Sequence, residues 1–276
     1  DRRFHDLTKE QDIEKMFAEH KPDYVIHTAA RVGGIGKNLN SPAQQYYDNI
    51  LMNTYMIHHA HLNDVEKLIA FSSVCAFPAE CKMLSEESLH DGAPYPAHGS
   101  YAYSKRMVDV QIEAYRKQYG RQYCSVIPGN IFGESDNFNL EDGHVVPCLI
   151  HKGYLAKKRN TPLEAWGDGS PTREFLYAQD VATACIELFG KDTLPQKIIV
   201  SGDQEITIKD LVEKIAQIYE HNNILWLTDK PNGQMKRPSS KKILNETLPD
   251  LKFTEVDEAL RRTIRWFEAN YPDVRK

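Results

Sequence analysis

Apolar positions recur along this chain at two spacings. Residues 11–20 repeat them at helical intervals, with Ile13, Met16 and Phe17 on one face. Lys21-Pro22-Asp23 breaks that pattern, and Tyr24-Val25-Ile26-His27 follows as a short buried strand. Ser41-Pro42 opens a long helical stretch to Leu62. Residues 68–71 read as the next strand, 79–99 as a polar loop, 100–119 as another helix and 124–127 as a third strand. Strands alternating with helices predict βαβ units and a doubly wound parallel sheet with helices on both faces. Such sheets bind ligands beyond the carboxyl ends of their strands. Chemistry is therefore expected in the loops after Ile26, Phe71 and Ile127.

Past Gly129 the texture changes. Gly, Asn and Asp crowd residues 129–143, and 145–155 then reads as helix. Trp166-Gly-Asp-Gly-Ser-Pro171 is rich in turn formers; 178–189 returns to helix and 198–200 to strand. Thr207 is a good N-cap for a helix to residue 219, and 256–271 forms a last amphipathic helix. The partition expected is a cofactor domain over residues 1–128 plus about 173–200. A smaller α/β substrate domain takes residues 129–172 plus 201–276.

Composition narrows the class. The 276 residues are 41% hydrophobic, 10% aromatic and 26% charged, which excludes a collagenous, disordered or disulfide-scaffold chain. A net charge of -5 argues against nucleic acid as a partner, so an anionic ligand needs a local cluster of cations. No apolar run reaches the roughly 18 residues of a membrane helix. The opening Asp-Arg-Arg-Phe-His-Asp has no apolar signal region. The five cysteines (Cys75, Cys81, Cys124, Cys148, Cys185) are an odd number without zinc spacing. They suit a reducing cytoplasm and no metal site. His58, His59 and His61 spread around one helix and are not read as metal ligands.

The first chemical signal is Tyr101-Ala-Tyr-Ser-Lys105, where positions i and i+4 share a helix face. A lysine there is expected to lower the tyrosine pKa and make the phenol a usable acid. Phe71-Ser72-Ser73-Val74-Cys75 precedes it at a strand end, with Ser73 placed to hydrogen-bond a carbonyl. The order Ser73, Tyr101, Lys105 resembles the catalytic set of the short-chain dehydrogenases/reductases, in their extended, nucleotide-sugar branch. Five further segments narrow the resemblance: His27-Thr-Ala-Ala-Arg-Val-Gly-Gly-Ile35, Ser73-Val-Cys75-Ala-Phe-Pro78, Asp136-Asn-Phe-Asn139, Gly143-His144-Val-Val-Pro147 and Trp166-Gly-Asp-Gly-Ser-Pro-Thr-Arg173-Glu-Phe. Together they are similar to the GDP-L-fucose synthase family, over nearly the whole chain.

That resemblance implies a Rossmann-type fold and a two-stage reaction. GDP-4-keto-6-deoxy-D-mannose would be epimerised at C3 and C5, then reduced at C4 with NADPH. Cys75 and His144 match the family's epimerisation residues. Their chemistry suits the task, because a thiol and an imidazole titrate near neutrality and can move a proton in either direction. Arg173 matches a diphosphate-binding arginine, Lys230-Pro-Asn-Gly a substrate loop, and Lys152 and Trp166 complete the implied substrate set with Asn130 and His144. Lys236 and Arg237 read as solvated charges. The implied NADP(H) contacts are Asp6, Leu7, Ala29, Ala30, Arg31, Asn49, Lys105, Pro128, Asn130 and Ile131, and Arg2 stands where an arginine could meet the 2′-phosphate. Relatives usually form homodimers through two helices, here residues 41–62 and 100–119. A dehydratase would carry an acidic residue after the serine, where Val74 stands. Other nucleotide-sugar epimerases or dehydratases, and a non-catalytic sugar-nucleotide-binding relative, remain as alternatives. No Gly-x-x-Gly-x-x-Gly turn precedes Asp6. The sequence is therefore expected to begin inside the domain, without its first βαβ portion, and to bind NADPH weakly as this piece alone.

Overall fold

The structure, a computed structural model, describes residues 4–33, 40–230 and 238–276. Arg2, Lys236 and Arg237 lie outside the described residues. In chain order the first elements are α1 (Glu10–His20), β1 (Tyr24–His27), α2 (Pro42–Leu62), β2 (Lys67–Phe71), α3 (Gly99–Tyr119), β3 (Gln122–Pro128) and β4 (Asn130–Phe132). Then come α4 (Val145–Arg159), β5 (Leu163–Trp166), β6 (Thr172–Tyr177), α5 (Ala178–Phe189), β7 (Lys197–Val200) and β8 (Glu205–Thr207). The last are α6 (Ile208–Ile218), β9 (Ile224–Leu227), α7 (Lys242–Thr247) and α8 (Val256–Asn270).

Two compact units result. The first holds Asp1–Pro128, Ala182–Val200 and Ser239–Leu251. Its sheet has the order β1-β2-β3-β7, and every pairing is parallel, with Ile26 opposite Ile69 and Ile69 opposite Cys124. β2 and β3 are buried along almost their whole length, as strands covered on both faces must be. Ile13 and Phe17 of α1, Met56 and Ile57 of α2, Leu68 of β2, and Val108 and Ile112 of α3 form one apolar core. α3 is also tied to the sheet through Asp109. This fully buried carboxylate accepts from Lys197 Nζ at 2.8 Å and Gln196 Nε2 at 3.2 Å, and pairs with His90 Nε2 at 2.8 Å.

The second unit holds Gly129–Val181, Ser201–Pro238 and Lys252–Lys276. It contains a three-stranded sheet, β4-β6-β8, and a parallel pair, β5 with β9. Phe132, Phe138, Leu149, Leu211, Leu260 and Phe267 lie in its core. Thr207 caps α6 as expected: its Oγ1 accepts from Asp210 N at 2.9 Å, and its own N–H donates to Asp210 Oδ2. Gly153 sits inside α4 because a Cβ there would stand 2.7 Å from the Tyr219 ring.

The unit edges differ from the expected partition. β6 pairs with β4 and β8, which draws residues 173–177 into the second unit. Ser239–Leu251 joins the first, where Ser240 N donates to Leu84 O at 2.7 Å.

Candidate active site

The end of β2 builds the first half of the site. Ser73 continues the strand in extended backbone (φ -162, ψ 148), and its Oγ accepts from Cys75 N at 3.2 Å. That bond caps a single 3₁₀ turn, Val74–Ala76, on which Cys75 rides. Ser73 keeps its own hydroxyl hydrogen for another acceptor. Tyr101 lies in the first turn of α3 and Lys105 one turn later.

Tyr101 meets Ser73 and Cys75. Burial, then the neighbouring Cys75, raise the phenol pKa above its usual range, while a hydrogen bond to the Ser73 hydroxyl opposes them. Lys105 is 2% exposed and donates from Nζ to Phe71 O at 2.9 Å; burial pulls its pKa down to about 8. These placements correct one expectation. The i, i+4 spacing does put Lys105 on the Tyr101 side of α3. Its ammonium, however, is held by a backbone carbonyl, and desolvation dominates the phenol, so the Tyr101 pKa goes up rather than down.

A buried polar network backs this turn of α3. Ser72 Oγ donates to Lys105 O at 3.0 Å. Asn53 reaches Ser104 O with Nδ2 at 3.5 Å and meets His27 Nε2 with Oδ1 at 3.0 Å. Burial and then the Lys105 charge depress the His27 pKa to about 4, so the ring is neutral and donates to Asn53. None of Ser72, Asn53 and His27 was assigned a role from sequence. The one available signal is a histidine closing the strand pattern of residues 24–27.

The loop after β1 carries Ala29, Ala30 and Arg31. Asn49 is fully buried on α2. Its Oδ1 accepts from Arg31 N at 2.9 Å, and its Nδ2 donates to Arg31 O and Gln45 O at 3.0 and 2.7 Å. With both donors engaged, Asn49 shapes the Arg31 loop. Arg31 Nη1 pairs with Asp48 Oδ2 at 2.9 Å, and its buried Nε finds no hydrogen-bond partner among the described residues. Asp6 Oδ1 accepts from Thr8 N at 3.1 Å and Thr8 Oγ1 at 2.8 Å, and Leu7 packs against the α1 core. Pro128 closes β3, while Asn130 and Ile131 open β4, where Asn130 Nδ2 donates to Glu174 O at 3.1 Å.

In the second unit, His144 occupies the N-cap position of α4 with no capping bond from its side chain. The loop before it is built by asparagines: Asn139 Oδ1 accepts from Glu141 N at 2.7 Å and Asp142 N at 2.9 Å. A Cβ on Gly143 would stand 2.7 Å from Asn137 O, which accounts for the glycine beside His144. Asp136 lies close to His144; burial raises its carboxyl pKa, and the Asn137 N–H and then the imidazole oppose that. Trp166 is half exposed and flanked by two cations, Lys152 Nζ at 5.3 Å and Lys230 Nζ at 6.0 Å from its ring centre. Arg173 Nη1 donates to Thr172 O at 2.7 Å.

Three of the other cysteines and the histidines of α2 have places in the packing. Cys124 and Cys185 are buried, and Cys81 Sγ donates to Met83 O at 2.9 Å. His58, His59 and His61 face three different partners, Tyr115, Glu10 and Arg121.

The sequence profile of the NAD dependent epimerase/dehydratase family matches residues 2–201. The chain belongs to that family.

Several of the similar members are named GDP-L-fucose synthase, and one a GDP-L-colitose synthase of Yersinia pseudotuberculosis. A GDP-L-fucose synthase of Dictyostelium discoideum is 37% identical over 275 residues, covering 98% of this chain and 86% of that protein. The GDP-L-fucose synthase of Escherichia coli K12 is 33% identical over 280 residues, with 96% and 86% covered. The crystal structure of a GDP-L-fucose synthetase from Naegleria fowleri bound to NADP superposes with a TM-score of 0.94. It is 33% identical in sequence, and the match covers 100% of this chain and 85% of that one.

Proposed function

We propose that this chain makes GDP-L-fucose from GDP-4-keto-6-deoxy-D-mannose, by epimerisation at C3 and C5 and NADPH-dependent reduction at C4. The observation that carries the reading is Cys75 on the 3₁₀ turn that follows Ser73, whose hydroxyl hydrogen-bonds the Tyr101 phenol. A group that moves protons from carbon then neighbours the group that holds the carbonyl oxygen. The names of the relatives supply the substrate class.

A proton α to a ketone leaves only if the developing enolate oxygen is stabilised. Ser73 and Tyr101 hydrogen-bond that oxygen at C4. Cys75 and His144 remove each α-proton from one face and return a proton to the other. In the second stage Tyr101 donates its phenolic proton to the C4 alkoxide, while the Lys105 ammonium, anchored on Phe71 O, holds that turn of α3 against the strand end that carries Ser73.

The loops described above fit the cofactor. Arg31 Nε is a buried donor without a partner among the described residues, beyond the carboxyl end of β1, where such sheets bind dinucleotides. The Naegleria relative's NADP supports the same ligand here. Asp6, Leu7, Ala29, Ala30, Arg31, Asn49, Lys105, Pro128, Asn130 and Ile131 would hold it. When bound, NADPH supplies the hydride for C4. Arg173, Lys152, Lys230 and Trp166 would take the GDP-sugar, the arginine matching a diphosphate and the indole an aromatic base.

The test supplies the protein with GDP-4-keto-6-deoxymannose and NADPH in deuterated water. NADPH is oxidised and deuterium appears at C3 and C5. Cys75→Ser loses the deuterium far more than the reduction. Reduction without label in the unsubstituted protein removes the epimerase half of the proposal.

The chain also pairs with a second copy through α2 and α3, in the cytoplasm. Supporting this, Tyr46 and Tyr47 on α2, and Tyr103 and Val110 on α3, are all more than 40% exposed. Light scattering at micromolar concentration should give the mass of two chains; the mass of one rejects the pairing.

A further inference from the structure

Arg106 follows Lys105 on α3 and is 5% exposed. Its Nε donates to Ala76 O at 2.8 Å, its Nη2 donates to the same carbonyl, and its Nη1 donates to Gly92 O at 2.8 Å. The Arg106 guanidinium carbon also lies 5.4 Å from the Tyr103 ring centre. A buried cation held by neutral carbonyls is costly. Burial accordingly pulls its pKa down, yet an arginine keeps its charge.

Two adjacent cations of α3 thus grip one short segment at its two ends. Lys105 holds Phe71 O and Arg106 holds Ala76 O, 2.9 and 2.8 Å away. Ser73 and Cys75 lie between those carbonyls. The Phe71 end has a second clamp, Ser72 Oγ to Lys105 O. At the Ala76 end the turn's own backbone bonds, Ala76 N to Ser73 O and Phe77 N to Val74 O, tie the turn to itself rather than to α3.

We infer that Arg106 is a positioning residue: its fork on Ala76 O sets the turn carrying Cys75 against Tyr101 on α3. The inference rests on the proton-transfer role proposed for Cys75. It separates the two stages of the reaction. Ser73, Tyr101 and Lys105 are held at the Phe71 end, whereas Cys75 depends on the Ala76 end. Losing the fork therefore harms proton exchange at carbon more than carbonyl reduction. A reacting group displaced by about 1 Å loses on the order of 10²-fold.

Arg106→Lys tests this, because it keeps the charge and loses the planar pair of donors. Deuterium incorporation should fall about 10- to 100-fold, with NADPH oxidation changing less than threefold. The rate at which iodoacetamide alkylates Cys75, read by peptide mass spectrometry, should shift at least threefold. Arg106→Gln, which restores one donor near Ala76 O, serves if the lysine variant does not fold, and should give the same split. Exchange and reduction falling in parallel, or an unchanged alkylation rate, overturns the inference. Cys75→Ser runs alongside. If it retains exchange, the reading of Cys75 has failed, and the alkylation rate alone then decides for or against Arg106.

Discussion

Tyr101→Phe lowers kcat for carbonyl reduction by about 10²–10⁴-fold, the usual worth of a positioned general acid. Phenylalanine keeps the ring and removes only the proton donor, so the fold and the KM for GDP-sugar change little. The Ser73 hydroxyl still reaches the C4 oxygen, but it is a poorer acid and leaves a residual rate. The pH profile follows from the two pKa directions. Tyr101 lies above its usual range, so the phenol stays protonated throughout the working range. Lys105 is depressed to about 8, so its ammonium is fully present only below that pH. The rate of reduction by the unsubstituted protein should therefore decline as pH rises through about 8. Single-turnover NADPH absorbance checks both points. A Tyr101→Phe rate within threefold of the parent would remove Tyr101 as the acid.

His27 makes the fold acid-sensitive. It is buried beside Asn53 and the Lys105 cation, with a pKa near 4 instead of the usual 6.5. Above pH 6.5 the ring is neutral in both folded and unfolded chains, and nothing is lost. As pH falls from 6.5 towards 4, the unfolded chain takes up the proton first and is favoured. The shift corresponds to a loss of about 3 kcal/mol once the fold too is protonated. Other groups titrate over the same range, so the comparison is with His27→Gln, which can still donate to Asn53 Oδ1. Urea midpoints at pH 7 and 4.5 should show a stability drop about 2–3 kcal/mol smaller in the variant. Equal drops would mean that His27 is not held neutral.

The two predictions differ in how far the sequence led to them. Tyr101 and Lys105 were named from a spacing of four on a helix, which is a property of local geometry. So were the Thr207 cap, the strands of the four-stranded parallel sheet, and every helix but α7 (Lys242–Thr247). The short strands of the second unit were not read. β4, β5, β6, β8 and β9 have three to six residues each, and no alternation with long helices marks them out as it does the equally short β1 and β7. They exist because distant segments pair: Asn130 lies opposite Phe175, and Leu163 opposite Ile224. The turn-rich stretch before Arg173 hid β6 for the same reason.

By itself, then, the sequence determined the βα order of the first unit, the longer helices and the candidate residues at the strand ends, because helical and strand periods are set by neighbours in the chain. Only the tertiary structure decided the proton affinities and the supporting contacts. It moved Lys105 onto Phe71 O, turned Asn49 inward to shape the Arg31 loop, and put the His27 ring beside a buried cation. Desolvation and hydrogen bonding depend on which remote atoms close around a group. For Tyr101 burial, and then Cys75 from more than twenty residues away, reverse the sign that spacing alone suggested, against the opposing hydrogen bond of Ser73.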